Sequence, residues 1–280
     1  MQFRTELHPA PAAVKVDHST PLLMLGSCFT DEVGERLRID GFNVTANPLG
    51  PVYNPAVLAR ILDRALDRRM FTADDLTEGM RGYHCLTFAS RYSGEAADEL
   101  IKTVNNDFSR IVDALSSPAT VILTLGSAYV FTHTATGEIV GNCHKFPATS
   151  FTRRLLGVDE IVSSLGQVVS RLIVRGHRVI FTVSPIRHLA DGLHGNTISK
   201  ATLHLAVNSI DGAEYFPAYE ALIDDLRDYR FYAADMKHPS DVAVDYIYSL
   251  FSDVYFSNDT VAAAKEARAV FKRNNHRQIL

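Results

Sequence analysis

PLLMLGSCFTDEVGERL, residues 21–37, opens on an unbroken apolar run and ends on an amphipathic one. Residues 22–25 have strand length, and strands without polar alternation are those buried on both faces. A Gly-Ser-Cys turn follows, and residues 31–39 then carry apolar side chains at helical spacing until Gly41 stops them. A strand running through a tight turn into a helix is the building unit of an α/β sheet. Such a turn also lifts a side chain clear of the sheet, where the next helix offers backbone N–H groups to a developing negative charge. Residues 26–28 are thus either a capped turn or a nucleophile held out for reaction.

The pattern recurs along the chain. Residues 42–46, 121–125 and 179–183 read as further strands, and the short aromatic run 230–234 as a fifth. Helical spacing is found at 55–69, 96–115, 159–175, 217–227 and 241–256, with a charged last helix near 261–271. Strand–helix alternation of this kind predicts an α/β domain with a doubly wound parallel sheet. Residues 1–280 read as one domain without repeat or linker. Two segments fit neither period, 71–94 and 131–154, and are expected to be irregular insertions that supply pocket walls. Loops after strand C-termini are where open α/β sheets place ligands, which favours the second segment.

Composition narrows the function. Of 280 residues 46% are hydrophobic and 21% charged, the profile of a globular protein with a sizeable core. A net charge of -4 without a long Lys/Arg block gives no reason to expect nucleic acid. No run approaches the length of a membrane span, and no signal-like segment precedes Pro21, so a soluble, cytoplasmic protein is expected. Three scattered cysteines (Cys28, Cys85, Cys143) make neither a disulfide framework nor a paired zinc site, and no metal or organic cofactor is expected.

A nucleophilic serine at position 27 needs a base. Of the eleven histidines, only His194 and His238 have a carboxylate three residues earlier, Asp191 and Asp235. Asp191 sits among glycines, where a turn is the ordinary reading. Asp235 and His238 precede an apparent helix start and form the preferred pair. Cys28, one position past the serine, reads as a small packing residue. Arg187 and His188 end an apolar strand and are candidates for substrate contacts, as are His144 and Lys145. Ser199 and Lys200, adjacent on a helix, diverge and do not read as a dyad.

Six motifs in one order carry a resemblance: GSCF at 26–29, NPLGPVYNP at 47–55, TLGSAYVF at 124–131, GNCHKFP at 141–147, SPIRH at 184–188 with DGLHGNTISK at 191–200, and DMKHPS at 235–240. Together they resemble the GSCFA family, a bacterial relative of the GDSL/SGNH esterases and lipases. The resemblance implies an SGNH-hydrolase-like three-layer α/β/α sandwich with a central, mostly parallel five-stranded sheet. It implies a serine-dependent hydrolase of a small-molecule or glycan acyl ester, with Ser27 as nucleophile, His238 as base and Asp235 as its orienting carboxylate. The oxyanion hole it implies uses the N–H groups of Ser27 and Gly50. At Gly126-Ser127-Ala128 the chain departs from the Gly-x-Asn of SGNH enzymes, and Ser127 or Asn142 is expected to replace the missing amide. An O-acyltransferase on the same residues, or a binding module with weak catalysis, are the alternative readings.

Overall fold

A computed structural model describes residues 4–276. Strand β1 (Leu22–Gly26) turns into helix α1 (Phe29–Ile39), and β2 (Val44–Ala46) leads to α2 (Pro55–Leu66). A small antiparallel sheet of β3 (Thr77–Gly79), β4 (Gly82–His84) and β5 (Ser93–Gly94) precedes α3 (Ala97–Ala114). Next comes β6 (Thr120–Leu125). A second antiparallel sheet follows, formed by β7 (Tyr129–His133), β8 (Ile139–Val140) and β9 (Phe151–Leu155), and then α4 (Val158–Val174). Strand β10 (Arg178–Val183) is followed by α5 (Gly192–Asn208), and β11 (Glu214–Tyr215) by the short α6 (Ala218–Glu220), which continues as a π-helical turn over Ala221–Leu226. Helices α7 (Asp241–Tyr255) and α8 (Asn258–His276) come last.

Five strands form one parallel sheet in the order β11-β10-β6-β1-β2. Successive strand side chains point to opposite faces, so each apolar strand feeds two cores. Leu23, Leu25, Val121, Leu123, Val179 and Phe181 pack against α2, α3, α4 and α5 on one face. Leu22, Met24, Ile122 and Ile180 pack against α1, α7 and α8 on the other. This is the three-layer α/β/α sandwich with a five-stranded central sheet that the sequence implies. From β1 the chain steps outward to β2, whereas from β6 it steps the other way to β10 and β11. The order reverses between β1 and β6, which opens a crevice at their C-terminal ends.

Several expectations are corrected. Residues 230–234 are not a strand: a 3₁₀ turn spans Tyr229–Phe231, and the fifth strand is β11. Residues 71–94 and 131–154 are not irregular but fold into the two antiparallel sheets. The Gly-rich stretch after Asp191, read as a loop, starts α5, because its apolar and small residues beyond Thr197 are buried against the sheet. Among the described residues no helix is long and apolar enough to cross a membrane.

The turn after β1 depends on one glycine. Gly26 has φ +146°, and a Cβ there would lie 2.1 Å from the Thr124 carbonyl oxygen of β6. The strands approach so closely because the Ser27 N–H still donates to that same carbonyl, at 3.0 Å. Gly26→Ala is therefore expected to cost at least about 2 kcal/mol, from both the left-handed backbone and the clash. Chemical denaturation should show the lowered midpoint; an unchanged midpoint would contradict the close approach.

Candidate active site

The crevice at the strand ends is a cleft of about 400 Å³. Its floor comes from the turn after β1 and the Gly126-Ser127 loop after β6. Its walls come from the β7–β9 sheet, the loop after β10 and the loop before α7. The β3–β5 sheet contributes no residue to its lining, so only one of the two expected insertions builds the cleft.

Ser27 does not face this cleft. Its residue is wholly buried, and its hydroxyl donates to Ser184 Oγ at 2.9 Å, beneath the end of β10. Through its N–H Ser27 still continues the ladder to β6, so its side chain follows the strand's alternation into the interior. Cys28 is the first residue with helical backbone angles, φ -59° and ψ -19°, and it turns outward. Its Sγ lies 3.5 Å from His238 Nε2. Cys28, expected as a packing residue, thus lines the cleft beside His238, whereas Ser27, the expected nucleophile, lies beneath it.

Asp235 and His238 are where the sequence places them, and their loop explains why. Asp235 Oδ1 accepts the N–H groups of Lys237 and His238 at 2.9 and 3.0 Å, fixing a tight turn in which Met236 takes a left-handed backbone. Its other oxygen, Oδ2, accepts from His238 Nδ1 at 2.5 Å. The two backbone donors, followed by the imidazole, hold the Asp235 carboxyl well below the usual carboxylate range. With a proton on Nδ1 for Asp235, the imidazole turns Nε2 toward the Cys28 thiol.

Burial pushes the Cys28 thiol up, against the opposing pull of a hydrogen bond from Tyr53 and of the cysteine's own N–H. The resting sulfur is thus a thiol rather than a preformed thiolate. Tyr53, from NPLGPVYNP, is pushed up to about 12 by burial and by the adjacent thiol, so it stays a hydroxyl donor. Apart from the cysteine's own sulfur, no acceptor among the described residues takes the Cys28 N–H.

The expected oxyanion donors fare unevenly. Gly50 is buried and its N–H donates to the Asn47 carbonyl at 2.8 Å, so it is spent within its own turn. Asn142 lies away from the cleft, its Oδ1 accepting the His144 N–H and its own N–H donating to Leu86. Ser127 does line the cleft; its Oγ accepts the Tyr129 N–H at 3.1 Å and lies 3.3 Å from Ser199 Oγ. Cys28, Tyr53 and Ser127 line the cleft near the His238 imidazole and carry N–H or hydroxyl donors.

Of the expected substrate contacts, Arg187 and His188 line the cleft, whereas His144 and Lys145 do not. His144 is a buried strut, its Nε2 2.9 Å from the Phe88 carbonyl and its Nδ1 2.9 Å from Ser93 Oγ. Asp191 lines the cleft not as half of a second His pair but as the partner of Arg153. Beneath the floor, Ser199 and Lys200 both point inward. Lys200 is 2% exposed and its Nζ donates to the carbonyls of Gly126 and Ser184 at 2.7 Å each. Burial pushes that ammonium down to about 7. Asn47 completes the support, accepting the Gly26 N–H at 2.9 Å and donating to the Ser27 carbonyl at 3.3 Å. Tyr53, Arg153, Ser184 and Lys200 carry no role in the sequence reading, although all but Arg153 lie in the quoted motifs.

Comparison with curated proteins and with solved structures finds no match for this chain. The model of the GSCFA family matches residues 21–251, a span that contains every cleft and floor residue named above. A match over most of the chain shows that this protein belongs to the GSCFA family.

Proposed function

We propose that this protein is an acyl-ester hydrolase of SGNH type whose nucleophile is the thiol of Cys28. The observation that carries the reading is the line Cys28 Sγ–His238 Nε2, 3.5 Å, and His238 Nδ1–Asp235 Oδ2, 2.5 Å, at the mouth of the sheet's switch point. Sulfur attacks the ester carbonyl while Nε2 takes the thiol proton, and Asp235 steadies the imidazolium that forms. The tetrahedral oxyanion draws on the Cys28 N–H, the positive end of α1 and the hydroxyls of Tyr53 and Ser127. Collapse breaks the C–O bond, and His238 returns the proton to the leaving alcohol. Water, activated by the same imidazole, then cleaves the thioester to acid and free thiol.

One observation favours transfer to a second alcohol over hydrolysis. A cleft of about 270 Å³ adjoins the first across Ile186 and Arg187 and carries Tyr219, Tyr229 and Tyr232. Adding candidate alcohols and measuring ester product against free acid separates the two outcomes.

Cys28→Ala is expected to lower turnover of a short-chain nitrophenyl ester by at least roughly 10³-fold, as removal of a nucleophile does. Ser27→Ala should keep turnover within about tenfold while losing about 1–3 kcal/mol of stability, since it strips a buried hydroxyl from its partner. A dead Ser27→Ala enzyme that still folds, beside an active Cys28→Ala, would return the nucleophile to Ser27.

Asp235→Asn should cost roughly 10²–10⁴ in turnover, because an amide favours the wrong imidazole tautomer. The pH profile supplies an independent check. The Cys28 pKa is raised, so its thiolate form is present only above the ordinary thiol range and is lost as pH falls through that raised value. Alkylation of Cys28 by iodoacetamide should rise with a midpoint above that of a free thiol. A rate already level at neutral pH would mean a preformed thiolate–imidazolium pair instead.

A further inference from the structure

The charges lining the cleft do not balance. Arg153, Arg187 and Lys237 face one carboxylate, Asp191. That carboxylate is taken by Arg153, whose guanidinium also lies over the Tyr129 ring at 3.9 Å. Arg187 and Lys237 have no carboxylate within ion-pair distance among the described residues. Arg187 is instead held in place by uncharged groups: Nη1 donates to the Met236 carbonyl at 3.3 Å, and the guanidinium lies 5.7 and 5.4 Å from the Tyr229 and Tyr232 rings. Pinning a half-buried guanidinium without neutralising it keeps its charge available at the wall that the two clefts share. The excess is local, since the whole chain carries a net charge of -4.

His188 lines the same cleft. Its Nε2 is buried without a hydrogen-bond partner among the described residues. Its imidazole is pushed down to about 4, first by burial and then by Lys200, His238 and Arg153. Burial is the main cause, and the neighbouring basic groups act in the same direction, so His188 adds no negative charge to the cleft.

We propose that the substrate of this cleft carries an anionic group, a carboxylate or phosphate, bound by Arg187 and Lys237 beside the carbonyl that Cys28 attacks. The inference rests on the acyl-transfer reading only for taking the Cys28 sulfur as the reacting atom. A simple thiol alkylation therefore tests it apart from ester turnover.

The experiment compares iodoacetate with iodoacetamide, two reagents of nearly equal size that differ in charge. In both, the Cys28 sulfur bonds to the methylene carbon, the C–I bond breaks, iodide leaves, and the thiol proton passes to His238. Mass spectrometry of the Cys28 peptide gives the two rates, and a free thiol in solution gives the reference ratio. The iodoacetate-to-iodoacetamide ratio at Cys28 is expected to exceed the reference by at least about tenfold at low salt. It should fall several-fold in 0.5 M salt, roughly where screening shortens to a few ångströms. Arg187→Met and Lys237→Gln should each bring the ratio toward the reference. Lys237 is exposed, so its variant tests the idea even where loss of Arg187 harms folding.

A wild-type ratio equal to the free thiol's, or a Cys28 inert to both reagents at pH 9, overturns the proposal. Neutral-ester turnover without any iodoacetate preference would leave the hydrolase standing and sink the anionic substrate. The preference without turnover of any ester would do the reverse.

Discussion

The site depends on how closely Gly26 approaches β6. The Thr124 carbonyl sits where a side chain on residue 26 would be, and it accepts the next residue's N–H instead. That single contact carries the β1–β6 ladder one residue past the point where the chain must turn. It is why Ser27 belongs to the sheet and Cys28 to the helix. Two adjacent residues of similar size thereby receive opposite fates, one wholly buried and one at the mouth of the cleft. The cost of a left-handed backbone is met by packing on both sides, as strained functional turns require.

Below that turn, a polar floor replaces what elsewhere in the sheet is aliphatic core. Ser27 donates to Ser184, whose carbonyl accepts from Lys200, which also holds the carbonyl of Gly126. Three strand ends are thus tied through one buried ammonium. A network of this kind is costly unless every member is satisfied, and when satisfied it fixes geometry more firmly than apolar contact does. Its place directly under the candidate donors of the Gly126-Ser127 loop makes it a positioning device. The helical neighbours Ser199 and Lys200 diverge as their spacing requires, yet both reach the floor, Ser199 at Ser127 and Ala128 and Lys200 at the carbonyls of Gly126 and Ser184.

Most of the frame was legible in the sequence, because burial on two faces leaves unbroken apolar runs and helices leave a 3.6-residue stripe. The Asp235–His238 pair was legible too, since a carboxylate three residues before a histidine can bond it within one turn. What the sequence hid was the direction of a side chain. Strand alternation past Leu25 depends on whether the ladder ends at Gly26 or at Ser27, and that is decided by Thr124, nearly a hundred residues away. Arg153 was hidden for a similar reason: it reaches the cleft only because residues 131–154 form a sheet, which short strands of mixed polarity do not announce. The strand at Glu214–Tyr215 is two residues long and has no pattern of its own; its neighbour β10 defines it.

The charge of the cleft and the protonation of the nucleophile belong to one balance. In the proposed reaction, a thiol whose pKa burial raises becomes an ion pair with His238 only as the acyl group is attacked, and that imidazolium forms beside Arg187 and Lys237. Arg187 and Lys237 raise the cost of that step in the free protein. A bound anion offsets their charge, so the same group that recognises the substrate also favours the ion pair. On the proposed reading, the thiol is kept unreactive until a matching substrate arrives, and selectivity comes from proton transfer as well as from binding.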